Sequence, residues 1–203
     1  MGTSNKELDQ MVKCLGLTSC YLGTFDKSFP GFNGIQNKYA MAIVNTGSQA
    51  SGGIHWLAFT FNPKQQTVYL FDPFGFSDQQ LMKEYRFSYE SNVRHTALSR
   101  SDRCIKFEKN TQGVQCCGGG PCGLFCILFL YSFSHYPNSS PYDNKVMDMV
   151  KGYNPKELTS PASIATAHAN EDKLHSWLRA HCPFYVNNVN TVLPNTSCKI
   201  QNH

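Results

Sequence analysis

No stretch of this sequence approaches the roughly 20 consecutive apolar residues that a membrane-spanning helix requires, so no such helix and no membrane partner are expected. The opening run Met1-Gly2-Thr3-Ser4-Asn5-Lys6-Glu7 is polar and lacks the apolar centre of a signal peptide. Lys6 stands where a myristoylation motif needs Ser or Thr, which removes the simplest lipid anchor. Internal repeats, low-complexity tracts and linker-like segments are also missing, so residues 1–203 read as a single domain. There is no paired C-x-x-C set, and the cysteine spacing fits no usual zinc finger. Without a secretion signal, nine cysteines read better as mostly reduced, buried thiols than as a disulfide framework.

What is present points to a globular chain. Apolar residues make up 41% and aromatics 13%, enough for a full core and too much for disorder. The net charge of +4 suits contact with nucleic acid or an acidic partner without requiring it. Ser4-x-x-Glu7 is a capping box, followed at helical spacing by Leu8, Met11, Val12 and Leu15 and closed by Gly16. A Gly-, Phe- and Pro-rich loop is expected over 23–34, then a strand over 39–44. Residues 54–61 and 67–72 read as a hairpin around Asn62-Pro63-Lys64-Gln65. A short helix at 81–85 and a strand at 103–108 come next, then an apolar helix from Cys122 to about His135 that breaks at Pro137. A helix at 145–150 and a last one capped by Asn170, with Leu174, Trp177 and Leu178 inward, complete the reading. Helices around a small set of strands make an α+β domain, with a central mixed sheet flanked by helices.

The chemistry concentrates in Gly118-Gly119-Gly120-Pro121-Cys122-Gly123-Leu124-Phe125-Cys126. A glycine-rich loop delivers one thiol to the start of a buried helix. There the unpaired N–H groups and the positive end of the helix dipole favour thiolate, the nucleophilic form. His55, on the first hairpin strand, is the candidate base. If Phe61 pairs with Gln66, His55 lies opposite Asp72, and a carboxylate bonded to one imidazole nitrogen leaves the other to act as base. Gln115, seven positions before Cys122, carries an amide able to donate to an oxyanion. Taken singly, each residue has an ordinary reading: a packed core His, an Asp that starts a turn, a Gln on a surface loop, a buried Cys. Cys116, Cys117, Cys122, Cys126 and His135 also leave open a zinc or nucleic-acid-binding module.

The runs "GTFDKSFPGF", "GGIHWLAFTFNP", "YLFDPFGFSD", "DRCIKFEK", "VQ" and "CGLFC" stand in one order from Gly23 to Cys126. In wording and order they resemble the adenovirus protease (adenain) family. That family belongs to a clan of cysteine proteases that also holds the proteases of ubiquitin-like proteins. The likeness thins after about Lys151, and it departs at 116–121, where an extra Cys pair and three glycines occur. The resemblance implies a monomeric cysteine endopeptidase of the virion and host nucleus that cuts capsid and core precursors at Gly-containing sites during maturation. A protease of ubiquitin-like tails is the alternative within the clan. It further implies Cys122 as nucleophile, His55 as base, Asp72 as its orienting acid and Gln115 in the oxyanion hole. Relatives frequently carry Glu where Asp72 stands, so the acid here is one methylene shorter. The family's cofactors would be two, with no metal. One is a basic peptide released from a capsid precursor, able to form a disulfide with Cys104. The other is viral DNA, for which Arg94, Arg100, Arg103, Lys106 and Lys109 supply a basic run opposed only by Asp102 and Glu108.

Overall fold

The computed structural model describes residues 2–35, 37–48, 54–117 and 120–199; Gly118 and Gly119 of the glycine-rich loop lie outside them. A mixed sheet of five strands forms its centre, in the order β1-β2-β3-β4-β5. The strands are β1 (Tyr21–Phe25), β2 (Ala40–Asn45), β3 (Trp56–Asn62), β4 (Thr67–Phe71) and β5 (Lys106–Lys109). β2, β3 and β4 are antiparallel, while both edge strands run parallel to their neighbours. Every residue of the three central strands is buried, as expected for near-continuous apolar runs covered on both faces.

Side-chain alternation divides that core in two. Met41, Ile43, Ala58, Tyr69 and Phe71 face the helical layer, while Ala42, Val44, Leu57, Phe59 and Leu70 pack on Phe29, Phe32 and Phe87. The helical layer is built on α4 (Cys122–His135), whose residues Leu124 to Leu130 are wholly buried. A helix that is apolar all round belongs inside. α1 (Asn5–Cys14) starts with the predicted capping box: Ser4 N donates to Glu7 Oε2 at 2.7 Å and Glu7 N donates to Ser4 Oγ at 3.3 Å. It buries Leu8, Met11 and Val12.

Several elements depart from the sequence expectation. β1 overlaps the start of the loop expected over 23–34; it is a half-exposed edge strand containing Gly23, with no apolar alternation to reveal it. α2 (Asp78–Tyr85) starts three residues earlier than expected, at a Ser77–Gln80 capping box. α3 (Glu90–Leu98) was not foreseen, because its buried positions are the polar Asn92 and Thr96. Thr96 Oγ1 accepts from Phe32 N at 2.9 Å, and Asn92 Nδ2 donates to Phe29 O, so this face recognises backbone rather than burying side-chain oil. The 145–150 segment holds only a 3-10 turn, Met147–Met149.

α5 runs over Pro161–His181 and is capped by Ser160, ten residues before the expected cap Asn170. Asn170 lies in mid-helix instead of at a cap. Its side chain accepts from Lys151 N at 2.8 Å and donates to the carbonyls of Val114 and Lys151. Two short helices follow, α6 (Pro183–Asn187) and α7 (Val189–Thr196). Among the described residues, no helix is long and apolar enough to cross a membrane.

Candidate active site

The site forms where β3 starts, β4 ends and α4 begins. His55 immediately precedes β3 and Asp72 immediately follows β4. Their side chains are buried and joined at 2.7 Å, Nε2 to Oδ1. The carboxylate is fixed independently: Oδ1 accepts from Phe74 N at 2.9 Å and Oδ2 from Phe76 N at 3.0 Å. Asn110 secures the Asp72 backbone, accepting its N–H through Oδ1 at 2.8 Å and donating Nδ2 to its carbonyl at 2.7 Å. The turn continues to Gly75, at φ 65°, where an added Cβ would lie 2.3 Å from the Gln112 carbonyl carbon. Only glycine lets this turn pack against the chain that leads to Gln115.

The imidazole lies between two rings, with Tyr85 stacked at 5.0 Å between centroids and Phe74 tilted at 4.8 Å. Burial pushes the imidazolium down. The Asp72 charge and the hydrogen bonds to Asp72 and Cys122 outweigh it and raise the His55 pKa from 6.5 to about 9. With Nε2 committed to Asp72, Nδ1 is the nitrogen left for the thiol.

Cys122 is the first residue of α4 and is 6% exposed. No side chain caps that helix, so the first-turn N–H groups are free of capping side chains. Cys126, one turn along, faces inward and donates its thiol to Trp56 O at 3.4 Å; burial pushes that thiol well up. The two cysteines of one motif are thus separated into one that lines the cleft and one wholly enclosed in the core. Gln115 is 1% exposed, and its Oε1 is buried without a hydrogen-bond partner. His55, Gln115 and Cys122 line one cleft of about 1240 Å³, together with Trp56, Tyr85 and Cys117.

The four residues expected from the sequence therefore converge. The cleft unites a thiol at a helix N-terminus, a buried imidazole–carboxylate pair and a side-chain amide. Such an arrangement can form and hydrolyse a thioester. Comparison with known proteins gives the same direction. The family model for the adenovirus endoprotease matches residues 21–200. The protease of Frog adenovirus 1 is 44% identical over 97% of this chain and 96% of its own length. That of Human adenovirus A serotype 12 is 45% identical over 100% of this chain and 98% of its own.

The chain belongs to the adenovirus endoprotease family.

Membership makes it a viral protease, and the likeness runs well beyond Lys151, where the sequence reading had it thinning. Among solved structures, similarity is found to the Legionella pneumophila effector RavZ, at 14% identity and a TM-score of 0.36, over 82% of this chain and 46% of that one. ChlaDub1 of Chlamydia trachomatis gives 14% identity and a TM-score of 0.34, over 67% and 60%.

The expected regulatory residues lie elsewhere. Cys104 is a free, exposed thiol between α3 and β5 and does not line the cleft. The basic run is not one solvated face. Arg94, Arg103 and Lys106 are exposed. The Arg100 side chain is only 11% exposed, stacked over Phe61 with its guanidinium carbon 5.3 Å from the ring centre and its Nε 3.8 Å from Asp102 Oδ1. Lys109 is equally covered; it donates to Phe76 O, pairs with Asp78 at 3.2 Å and caps the Tyr89 ring. These two are tied into the fold. Among the described residues no group of three or more His, Cys, Asp or Glu is placed to hold a metal ion.

Seven of the nine cysteines are free, in line with a mostly reduced set, but only Cys122, Cys126 and Cys182 of them are buried, and Cys116 and Cys198 are joined in a disulfide. Sequence reasoning further missed Asn110, Tyr85 and Tyr153. None carries a motif; each acts through a backbone contact or a ring face that only the folded chain creates.

Proposed function

We propose that this chain is a cysteine endopeptidase in which Cys122 is the nucleophile, His55 the base, Asp72 its orienting acid and Gln115 an oxyanion donor. The observation that carries the reading is the His55 imidazole, bonded to Asp72 through Nε2 and lining one cleft with Cys122 at the head of α4. An imidazolium beside a thiol favours the thiolate. Cys122 Sγ attacks the scissile carbonyl carbon. The resulting oxyanion receives the Cys122 N–H and the Gln115 amide N–H. His55 gives its proton to the departing amine, which leaves a thioester. His55 then takes a proton from water, hydroxide attacks the thioester, and the acid product leaves as the thiol is restored.

The substrates are viral capsid and core precursor proteins, cut at Gly-containing sites during virion maturation in the virion and host nucleus. Family membership and the motif words around His55, Asp72 and Cys122 support this. An activating peptide that joins Cys104 and DNA held without sequence preference belong to the same proposal; exposed Cys104, Arg94, Arg103 and Lys106 support it. Peptide hydrolysis by Cys122→Ala tests the central claim. Cleavage is expected to vanish with the fold intact, and activity within tenfold of the parent rejects the nucleophile assignment.

A further inference from the structure

The segment that presents Gln115 is tied down on several sides. Val114 N and Gln115 N donate to Pro73 O at 2.8 and 3.3 Å. Val114 O accepts from Asn170 Nδ2 at 2.9 Å, and Gln115 O accepts from the Tyr153 hydroxyl. The remaining tie is covalent. Cys116, adjacent to Gln115, is bonded to Cys198 across 82 residues of chain, with 5.8 Å between the Cα atoms.

Cys198 is itself held, its N–H shared between the two Glu171 carboxylate oxygens at 2.8 and 3.1 Å. Glu171 is buried on α5. The chain around Cys198 then returns to the site: Asn195 and Lys199 line the same cleft as Cys122. Gly120, two residues before the nucleophile, packs directly against this segment. A Cβ there would lie 2.9 Å from Asn195 O and 2.7 Å from Gly2 Cα. One disulfide therefore joins the segment carrying the oxyanion donor to the C-terminal wall of the cleft.

We propose that the Cys116–Cys198 disulfide is a positioning bond for Gln115 and a reducible control site, through which a dithiol or glutathione-type thiol slows turnover. The inference rests on Gln115 acting as oxyanion donor. Its Oε1 has no partner, so the amide is oriented by the main chain around it and not by a bond at that oxygen. Releasing Cys116 removes one of those constraints and, at once, one of those on the 195–199 wall, which keeps its bonds to Glu171. The chemistry balances. A dithiol gives two electrons and two protons, the S–S bond opens to two thiols, and the dithiol closes its own disulfide. Reductant acts in opposite senses at two places, since Cys122 must be reduced to attack while Cys116 must stay bonded to hold the donor. Turnover therefore passes through a maximum at intermediate redox poise.

The test is a glutathione and dithiothreitol series on the unmodified chain. kcat and KM are measured at each poise, and alkylation with mass spectrometry reads the Cys116–Cys198 bond separately from any disulfide at Cys104. As the bond opens, kcat should fall about tenfold, less than the 10²–10³-fold of deleting an oxyanion donor. Cys198→Ser should show the same lowered kcat and no further response to reductant. In Gln115→Ala, opening the bond should change kcat less than about twofold, because the donor it positions is gone. An unchanged kcat when the bond opens, or an equal loss in the Gln115→Ala background, overturns the inference and leaves the catalytic reading standing. Parent-level kcat in Gln115→Ala overturns the oxyanion reading itself, and this inference with it. The titration of the unmodified chain decides the matter even where the serine variant does not fold.

Discussion

His55 Nε2 and Asp72 Oδ1 meet at 2.7 Å one residue outside the ends of β3 and β4, in a diagonal relation across the hairpin. Ala58 pairs with Phe71 and Asn62 with Thr67, so in register Asp72 continues opposite Leu57, not His55. Diagonal neighbours on one face stand about 7–8 Å apart, within reach of an imidazole and a carboxylate. Outside the ladder, the His55 carbonyl still accepts from Thr46 N at 2.9 Å, continuing the β2 pairing by one residue. Asp72 instead takes two N–H bonds from the following turn.

That relation sets a pH dependence. His55 keeps its proton up to about 9 in the folded chain, against 6.5 for a free imidazole. Its folded pKa is the higher, so the proton's contribution to stability is full below about 6.5 and is lost as pH rises through about 9. The span corresponds to something on the order of 3 kcal/mol. Removing the Asp72 charge leaves burial, which pushes the imidazolium down, as the dominant influence. Asp72→Asn should therefore move the alkaline limb of the kcat/KM–pH profile to lower pH and lower its plateau. It should hurt less than His55→Ala, since the base remains. A profile identical to the parent's removes Asp72 from the mechanism.

Gln115→Ala should lower kcat by about 10²–10³ with KM almost unchanged, the signature of a donor used only in the transition state. Steady-state kinetics on a peptide substrate read the difference directly. A pure KM effect assigns the amide to substrate binding instead.

Much of this site is legible in the sequence because its residues sit at element boundaries. Cys122 starts α4, and the apolar run to His135 marks that helix end to end. The expected hairpin register, with Phe61 opposite Gln66, is two positions from the one observed. An even displacement keeps every side chain on its face, so His55 and Asp72 stay on the same side and still meet. A displacement of one would have separated them. What was not legible lacks periodicity. α3 buries Asn92 and Thr96, β1 is held by an edge pairing, and Asn170 sits in mid-helix to bind distant carbonyls. Charge was misread for a similar reason: Arg100 and Lys109 look like surface cations, yet their stems and heads are covered by Phe61, Tyr89 and Phe76.

Asn110 supplies a prediction that no motif contains. Its side chain bonds both the N–H and the carbonyl of Asp72, and also donates to Gln112 O at 2.9 Å. Asn110→Ala leaves the part-buried Asp72 N–H without its partner, at about 1–3 kcal/mol, while the Asp72 carbonyl keeps the Gly75 N–H at 2.8 Å. Tm should fall by several degrees, and kcat should fall as the carboxylate loses its fixed position. Thermal unfolding with parallel kinetics checks this. Parent values of both would show that the turn bonds from Phe74 and Phe76 suffice.

Cys126→Ala offers the contrasting case within the Cys122 motif. Its thiol is fully buried and bonded to Trp56 O, and burial raises its pKa well above the ordinary thiol value. A thiol kept protonated is a poor nucleophile. Alkylation by iodoacetamide at neutral pH should label Cys122 and spare Cys126. Cys126→Ala should retain kcat within about threefold and lose about 1 kcal/mol of stability, as for a small buried apolar group. Loss of all cleavage in that variant would contradict the division of roles.

The basic residues separate into two groups with opposite expected behaviour. Arg94, Arg103 and Lys106 are exposed and available to phosphates, whereas Lys109 anchors the turn that carries Phe76 and the start of α2. If DNA stimulates cleavage through phosphate contacts, log affinity should fall linearly with log salt and be similar for unrelated sequences. Replacing Arg94, Arg103 or Lys106 by Ala should weaken binding and reduce that slope by about 1 each, with unstimulated kcat and Tm unchanged. Lys109→Ala should do the reverse. It breaks the Asp78 pair and the bond to Phe76 O, whose backbone N–H holds Asp72, so Tm should drop by about 2–4 °C per kcal/mol lost while the salt slope stays put. Fluorescence anisotropy on a labelled duplex across a salt series, together with thermal melts, distinguishes the two. A slope change in Lys109→Ala without loss of Tm would return that residue to the binding face.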